Sequence, residues 1–166
     1  VAADCIYMSI TVLSGVSARF NIDEISLLKF YTACGQKYVS ELADMDMAAV
    51  CFSKASEFRK SAQAAAAETE GGKRAFAKAL FDLAIGSAEC AWERNDTKNA
   101  EDLVADASEY LQELPEECEY LASVQFNFGL FAYRAKDYKR ALSWLERCMV
   151  TRTLACNPVM QSSKQA

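Results

Sequence analysis

The chain of 166 residues contains no histidine. That excludes Ser-His and Cys-His nucleophile activation and removes the commonest metal ligand. Proline is nearly as scarce: Pro115 and Pro158 stand where helices would have to stop or start. None of the seven cysteines pairs with another in C-x-x-C spacing, the count is odd, and most fall on apolar helix positions. They read as small core residues in a reducing compartment rather than as disulfides or metal ligands. An excess of positive charge is also missing, since 18 basic residues face 23 acidic ones for a net charge of −5. Direct binding of DNA or RNA through phosphates is therefore not expected. The local basic group Lys136, Lys139, Arg140 and Arg147 reads as a solvated helix face.

Long apolar runs are lacking too. In residues 1–20, Ser9, Thr11, Ser14, Gly15 and Ser17 interrupt what would need about 20 apolar residues to cross a membrane. No basic leader precedes this stretch as a signal peptide requires, so it reads as a buried helix over 1–18. Phosphate loop, metal cluster and activated nucleophile are all missing. The acids Glu116, Glu117 and Glu119 sit at a helix start, where capping explains them. No catalytic residue, cofactor, metal or small-molecule substrate is expected. The opening at Val1 and the polar end point to a fragment of a longer protein.

What is present is 52% hydrophobic and rich in alanine, with scattered β-branched residues, which predicts an all-helical protein. Asn21 and Glu24 form a capping-box-like pair. The helix they start would bury Leu28, Tyr31, Gly35, Tyr38, Val39 and Leu42 up to a turn near Ala43-Asp44. Its partner repeats Ala48, Cys51, Phe52, Ala55 and Phe58 and runs to a stop at Gly71-Gly72. From about Lys73 another helix carries Phe76, Leu80, Phe81, Leu83, Ala84, Ala88, Ala91 and Trp92. Arg94-Asn95-Asp96 makes the next turn, with Asp96 or Thr97 as cap, and Ala100, Leu103, Val104, Ala107, Tyr110, Leu111 and Leu114 follow on one stripe. Pro115 then opens a further helix.

That helix leads into residues 126–148, two helices joined at Ala135-Lys136-Asp137 with Asp137 as N-cap. Phe128, Phe131 and Ala132 form one inner face; Ala141, Leu142, Trp144, Leu145 and Cys148 form the other. Gly129 and Ala141, on opposite arms, would let the helices approach closely, and Tyr133 and Tyr138 would fill the space near the turn. This hairpin resembles a tetratricopeptide (TPR) repeat. Asn127, Gly129, Tyr133, Asp137, Tyr138, Ala141 and Leu145 fall on typical residue types. Gln125 replaces the family's tryptophan, Lys136 its turn glycine and Thr153 its closing proline. The helix-B alanines Ala48, Ala100 and Ala141 are spaced more widely than the usual period of about 34 residues, so the repeats are divergent. The expected architecture is a TPR-like superhelical solenoid: a helix over 1–18, then antiparallel hairpins at about 24–68, 73–113 and 116–154.

Three stretches, DMAAVCFSKASEF (46–58), FDLAIGSAECAWERNDTKNAEDLVADASEYL (81–111) and ALSWLERC (141–148), followed by SSKQA (162–166), resemble the meiotic Zip/Spo-type TPR scaffolds of the ZMM crossover group. The resemblance implies a chromosome-axis scaffold in the nucleus that links recombination factors to synaptonemal-complex assembly and promotes crossovers. The alternative is a TPR adaptor or complex subunit elsewhere, as in trafficking or cell-cycle machinery. Either would bind other proteins through the helix-A groove. The groove candidates are Glu89 and Trp92 on the middle repeat and Phe126, Asn127, Leu130 and Tyr133 on the last. Only Asn127 fits the carboxylate clamp of chaperone-binding repeats, and it also reads as an ordinary inter-repeat residue. Core between repeats is the plainer reading of Trp92, Phe126, Leu130 and Tyr133. The negative net charge implies a partner segment with basic and apolar residues.

Overall fold

A computed structural model describes residues 23–67 and 70–156 and, apart from these, Val12 alone. The helix expected over 1–18 and the cap expected at Asn21 lie outside these residues. The fold is all-α, with no strand among the described residues. The helices are α1 (Glu24–Lys37), α2 (Met45–Glu57), α3 (Arg59–Ala66), α4 (Glu70–Glu93), α5 (Thr97–Glu109), α6 (Cys118–Arg134) and α7 (Tyr138–Cys156). The chain divides into two compact units, residues 1–103 and 104–166, and α5 runs across the boundary.

One turn design recurs three times. Ala43, Asn95 and Lys136 take positive φ, at 51°, 60° and 64°. Each is followed by an aspartate whose carboxylate accepts from the backbone three residues on: Asp44 from Met47 at 3.0 Å, Asp96 from Asn99 at 3.4 Å, Asp137 from Arg140 at 3.1 Å. Asp96, rather than Thr97, is thus the cap. One residue further, the amides of Ala48, Ala100 and Ala141 bond the carbonyls of the same aspartates at 2.9–3.0 Å. The second and third turns also close their preceding helix identically. The amides of Asp96 and Asp137 reach back to the carbonyls of Ala91 and Ala132, and those of Asn95 and Lys136 to Trp92 and Tyr133. This is the paired bonding that satisfies the last carbonyls of a helix. In the first turn α1 widens into a π-helical stretch, Tyr38–Leu42, before Ala43. The wider turn leaves Val39 and Leu42 half-buried rather than in the core.

In the first unit α1 and α2 form a hairpin, and α4 packs against α1, α2 and α3. The cap of α1 is Asp23, which accepts from the amides of Ile25 and Ser26 at 3.2 and 3.0 Å and from the Ser26 hydroxyl at 2.6 Å. That hydroxyl foremost, joined by the backbone bonds and Lys29, holds the Asp23 carboxyl below its usual range against the opposing effect of burial. The core centres on Phe52. A methyl on Gly35 of α1 would come within 2.5 Å of its ring, and one on Gly86 of α4 within 2.8 Å. Only hydrogen fits on either side. Helix α2 does not continue through the alanine tract: it breaks at Phe58, whose ring stacks on Tyr31 at 5.8 Å. Gly71 and Gly72, expected as a stop, lie instead in the first turn of α4. There the amides have no intrahelical acceptor in any case, so glycine costs little hydrogen bonding. From Ala79 to Ala91 nearly every residue of α4 is buried, as a helix enclosed on all sides requires.

In the second unit α6 and α7 pack as an antiparallel hairpin. Its core joins Leu121, Ala122, Val124, Phe128 and Ala132 to Ala141, Trp144 and Cys148, and Phe128 meets Trp144 edge to face at 5.2 Å. Two expected core residues, Phe131 and Leu142, are exposed. Leu142 is offset by about 100° or more from buried Ala141, Trp144 and Cys148 around the helix, whereas Phe131 lies within about 60° of Phe128 and is exposed nonetheless. The close approach at Gly129 is real, but its partners are Leu145 and the Trp144 Cβ, which a methyl would meet at 3.1–3.3 Å. Ala141, expected opposite Gly129, lies a turn nearer the hairpin bend. Tyr133 and Tyr138 do meet beside the bend, with centroids 5.6 Å apart.

Candidate functional site

The six residues singled out from the sequence fall on two helices, Glu89 and Trp92 on α4 of the first unit and the other four on α6 of the second. Glu89 is half-buried on α4, between buried Ala88 and Cys90. Burial, and then the Glu93 carboxylate one turn on, push its carboxyl above the usual range. Trp92 is half-buried, and its carbonyl accepts the Asn95 amide in the turn. It therefore helps close α4 as well as offering ring surface.

On α6, Phe126, Leu130 and Tyr133 share one side at four- and three-residue spacing. Asn127 does not join them: one residue on from Phe126, it faces the side of Tyr120 and Phe131. What the sequence reading missed is the contribution of α7. Gly129 touches Leu145, so residues one turn either side of these two border the same seam. On α6 these are Phe126 and Tyr133; on α7 they are Leu142 and Met149. Tyr138 completes the row through its contact with Tyr133. Phe126, Tyr133, Tyr138, Leu142 and Met149 are between 49% and 70% exposed. The signal was in the sequence as Tyr138, Leu142, Leu145 and Met149 at four-, three- and four-residue spacing, a second apolar stripe beside the one that packs inward.

Five side chains of this size offer roughly 150–250 Å² each when aromatic. Half or so of that in water makes a patch of about the 300–600 Å² usual for the largest on a monomer, which is often functional. Around it the hairpin is basic. Residues 118–156 hold six Lys and Arg against three Asp and Glu. Two of those acids are engaged locally, Asp137 with Arg140 at 3.2 Å and Glu119 with Arg152 at 3.4 Å. Arg147 lies over the Trp144 ring at 5.1 Å. Arg134, Lys136 and Lys139 are exposed around the bend.

The first unit has a cleft of about 480 Å³ floored by Phe52 and Cys90 and rimmed by Arg94, Asp96 and Asn99. Its charged groups are engaged locally: Arg94 reaches Asp46 at 3.7 Å, and the Asp96 carboxylate caps α5. Among the described residues no three His, Cys, Asp or Glu are grouped to hold a metal ion. Cys34, Cys51, Cys90, Cys118 and Cys148 are free and buried. Burial raises the Cys51 thiol to about 11, with Cys34 adding to the effect. No helix among the described residues is long and apolar enough to cross a membrane.

No protein-family model matches the chain, and neither a curated protein nor a solved structure matches it.

Proposed function

We propose that this chain is a protein–protein interaction module, a TPR-like scaffold segment whose surface holds another polypeptide. The observation that carries this reading is the open apolar face of the α6–α7 hairpin, where large side chains stay in water on a well-packed support. The thrice-repeated turn, with its left-handed residue, aspartate cap and buried alanine four residues on, supports a repeat architecture of stacked hairpins. On the resemblance of residues 46–58, 81–111 and 141–148, the scaffold belongs to meiotic recombination in the nucleus, in crossover formation and chromosome synapsis.

A photo-crosslinking residue at Leu142 should join the chain to protein in an extract of its source, whereas the same residue at exposed Lys98 should not. Equal or absent adducts at both positions would defeat the interaction reading. Immunostaining of meiotic chromosome spreads separates the two pathways. Foci along chromosome axes are expected, and an exclusively cytoplasmic signal would favour an adaptor in trafficking.

A further inference from the structure

Resting on the reading of the open face as a protein-binding surface, the chemistry of its occupant can be named. We infer that the α6–α7 face receives an amphipathic helix that is acidic, with its carboxylates directed to the bend of the hairpin. Two features converge on this. At the seam between α6 and α7, half-buried Leu145 covers Gly129, and exposed side chains border it on both helices, Phe126 and Tyr133 on α6 and Leu142 and Met149 on α7. Two such rows of large apolar side chains suit a helix laid along the seam, with anchors at three- and four-residue spacing.

Charge then selects among helices. The whole chain is at −5, which by itself favours a basic partner, but the hairpin carries twice as many basic as acidic residues. A docked segment senses charges within about a Debye length, near 8–10 Å, so the local sign governs. The basic groups are also unevenly placed. Arg134, Lys136 and Lys139 stand around the bend beside Tyr133 and Tyr138, whereas the far end holds the internally matched Glu119–Arg152 pair. A helix with carboxylates at one end would therefore dock in a fixed direction, its apolar face supplying grip and its acidic end supplying register.

The test uses the full 166-residue chain and two fluorescein-labelled synthetic helices. One carries leucine at three- and four-residue spacing with glutamate on its flanks; its twin has every glutamate replaced by lysine. Anisotropy at low salt should show the acidic helix binding about tenfold or more tighter than its twin, a preference that shrinks as salt is raised. Leu142→Glu should abolish binding, and Lys136→Glu with Lys139→Glu should reverse the preference. Met149→Ser reads the same face should Leu142→Glu lower the thermal midpoint. A tighter lysine twin would overturn the proposal while leaving a protein-binding face intact. So would sedimentation showing a dimer that Leu142→Glu dissolves, because a second copy would then be the occupant. Binding of neither helix overturns the acidic-helix assignment, and the crosslinking at Leu142 then decides separately whether the face binds protein at all.

Discussion

Phe52 and Leu145 are both received by glycine, and the two receptions differ. In the first unit the Phe52 ring is held between Gly35 and Gly86, on two different helices, and the site is closed on both sides. In the second unit Gly129 receives Leu145 from one side only, and Leu145 is itself half-buried at the edge of an open face. The same residue type thus locks a core in one region and shapes a surface in the other. A locked site has no room to yield, whereas an edge site can shift.

The largest effect should come from emptying the locked site. Phe52→Ala would leave a cavity costing about 3–5 kcal/mol, while Leu142→Ala on the open face should stay within about 0.5 kcal/mol of the parent. Urea denaturation would measure both, and similar losses would erase the contrast. Next come the glycines. Gly35→Ala drives a methyl into the ring, and overpacking of about 1–3 kcal/mol should exceed the roughly 1 kcal/mol gained from helix propensity. Gly129→Ala meets half-buried Leu145 at 3.1 Å and the buried Trp144 Cβ at 3.3 Å, contacts looser than those at Gly35, so its cost should be smaller and about cancel the propensity gain. A raised midpoint for Gly35→Ala would show that the ring is not held.

The recurrent turn gives a smaller effect. Left-handed backbone costs an L-residue about 1–2 kcal/mol, offset in part by the chain entropy that glycine adds to the unfolded state. Lys136→Gly and Ala43→Gly should each raise the melting temperature, and Asn95→Gly should do so least, because asparagine tolerates this conformation. The smallest effect concerns charge. Burial first, then Glu93, raises the Glu89 carboxyl in the folded state. Its protonated form is the one the fold prefers, so this contribution is fully present below the unfolded value near 4.3 and is lost as pH rises through the folded one. Glu89→Gln should therefore raise thermal stability modestly at pH 7 and match the parent near pH 4. A gain that persists at low pH would assign the effect to something other than charge.

The turns at 44, 95 and 136 were legible because their chemistry is local: an aspartate cap and an alanine one helical turn beyond it need no knowledge of the rest. Three features were not. The break at Phe58 has no glycine or proline to announce it and coincides with a ring stack on Tyr31, twenty-seven residues earlier in the chain. Gly71-Gly72 misled because glycine marks a helix end without saying which end, and here it falls at the start of α4. The open face escaped because periodicity identifies an apolar stripe without telling whether the stripe is covered. Helix α7 carries two, one buried through Ala141, Trp144 and Cys148, one exposed through Tyr138, Leu142 and Met149. Of the candidate residues on α6, Phe126 and Tyr133 belong to that face and Asn127 does not, and their sequence spacing gave no reason to add residues from the next helix.

The buried thiols make the chain its own clock. Burial raises the thiols of Cys34, Cys51, Cys90 and Cys118, and only the thiolate reacts readily with an alkylating agent. At neutral pH such a group reacts chiefly when its surroundings open, so its labelling rate reads the opening equilibrium as amide exchange does. Cys34, Cys51 and Cys90 report on α1, α2 and α4, while Cys118 reports on the start of α6. Peptide-resolved labelling would therefore time the two units separately in the unmodified protein. Matched rates at Cys51 and Cys118 would mean a single cooperative event, and a faster Cys118 would mean that the hairpin bearing the open face breathes on its own.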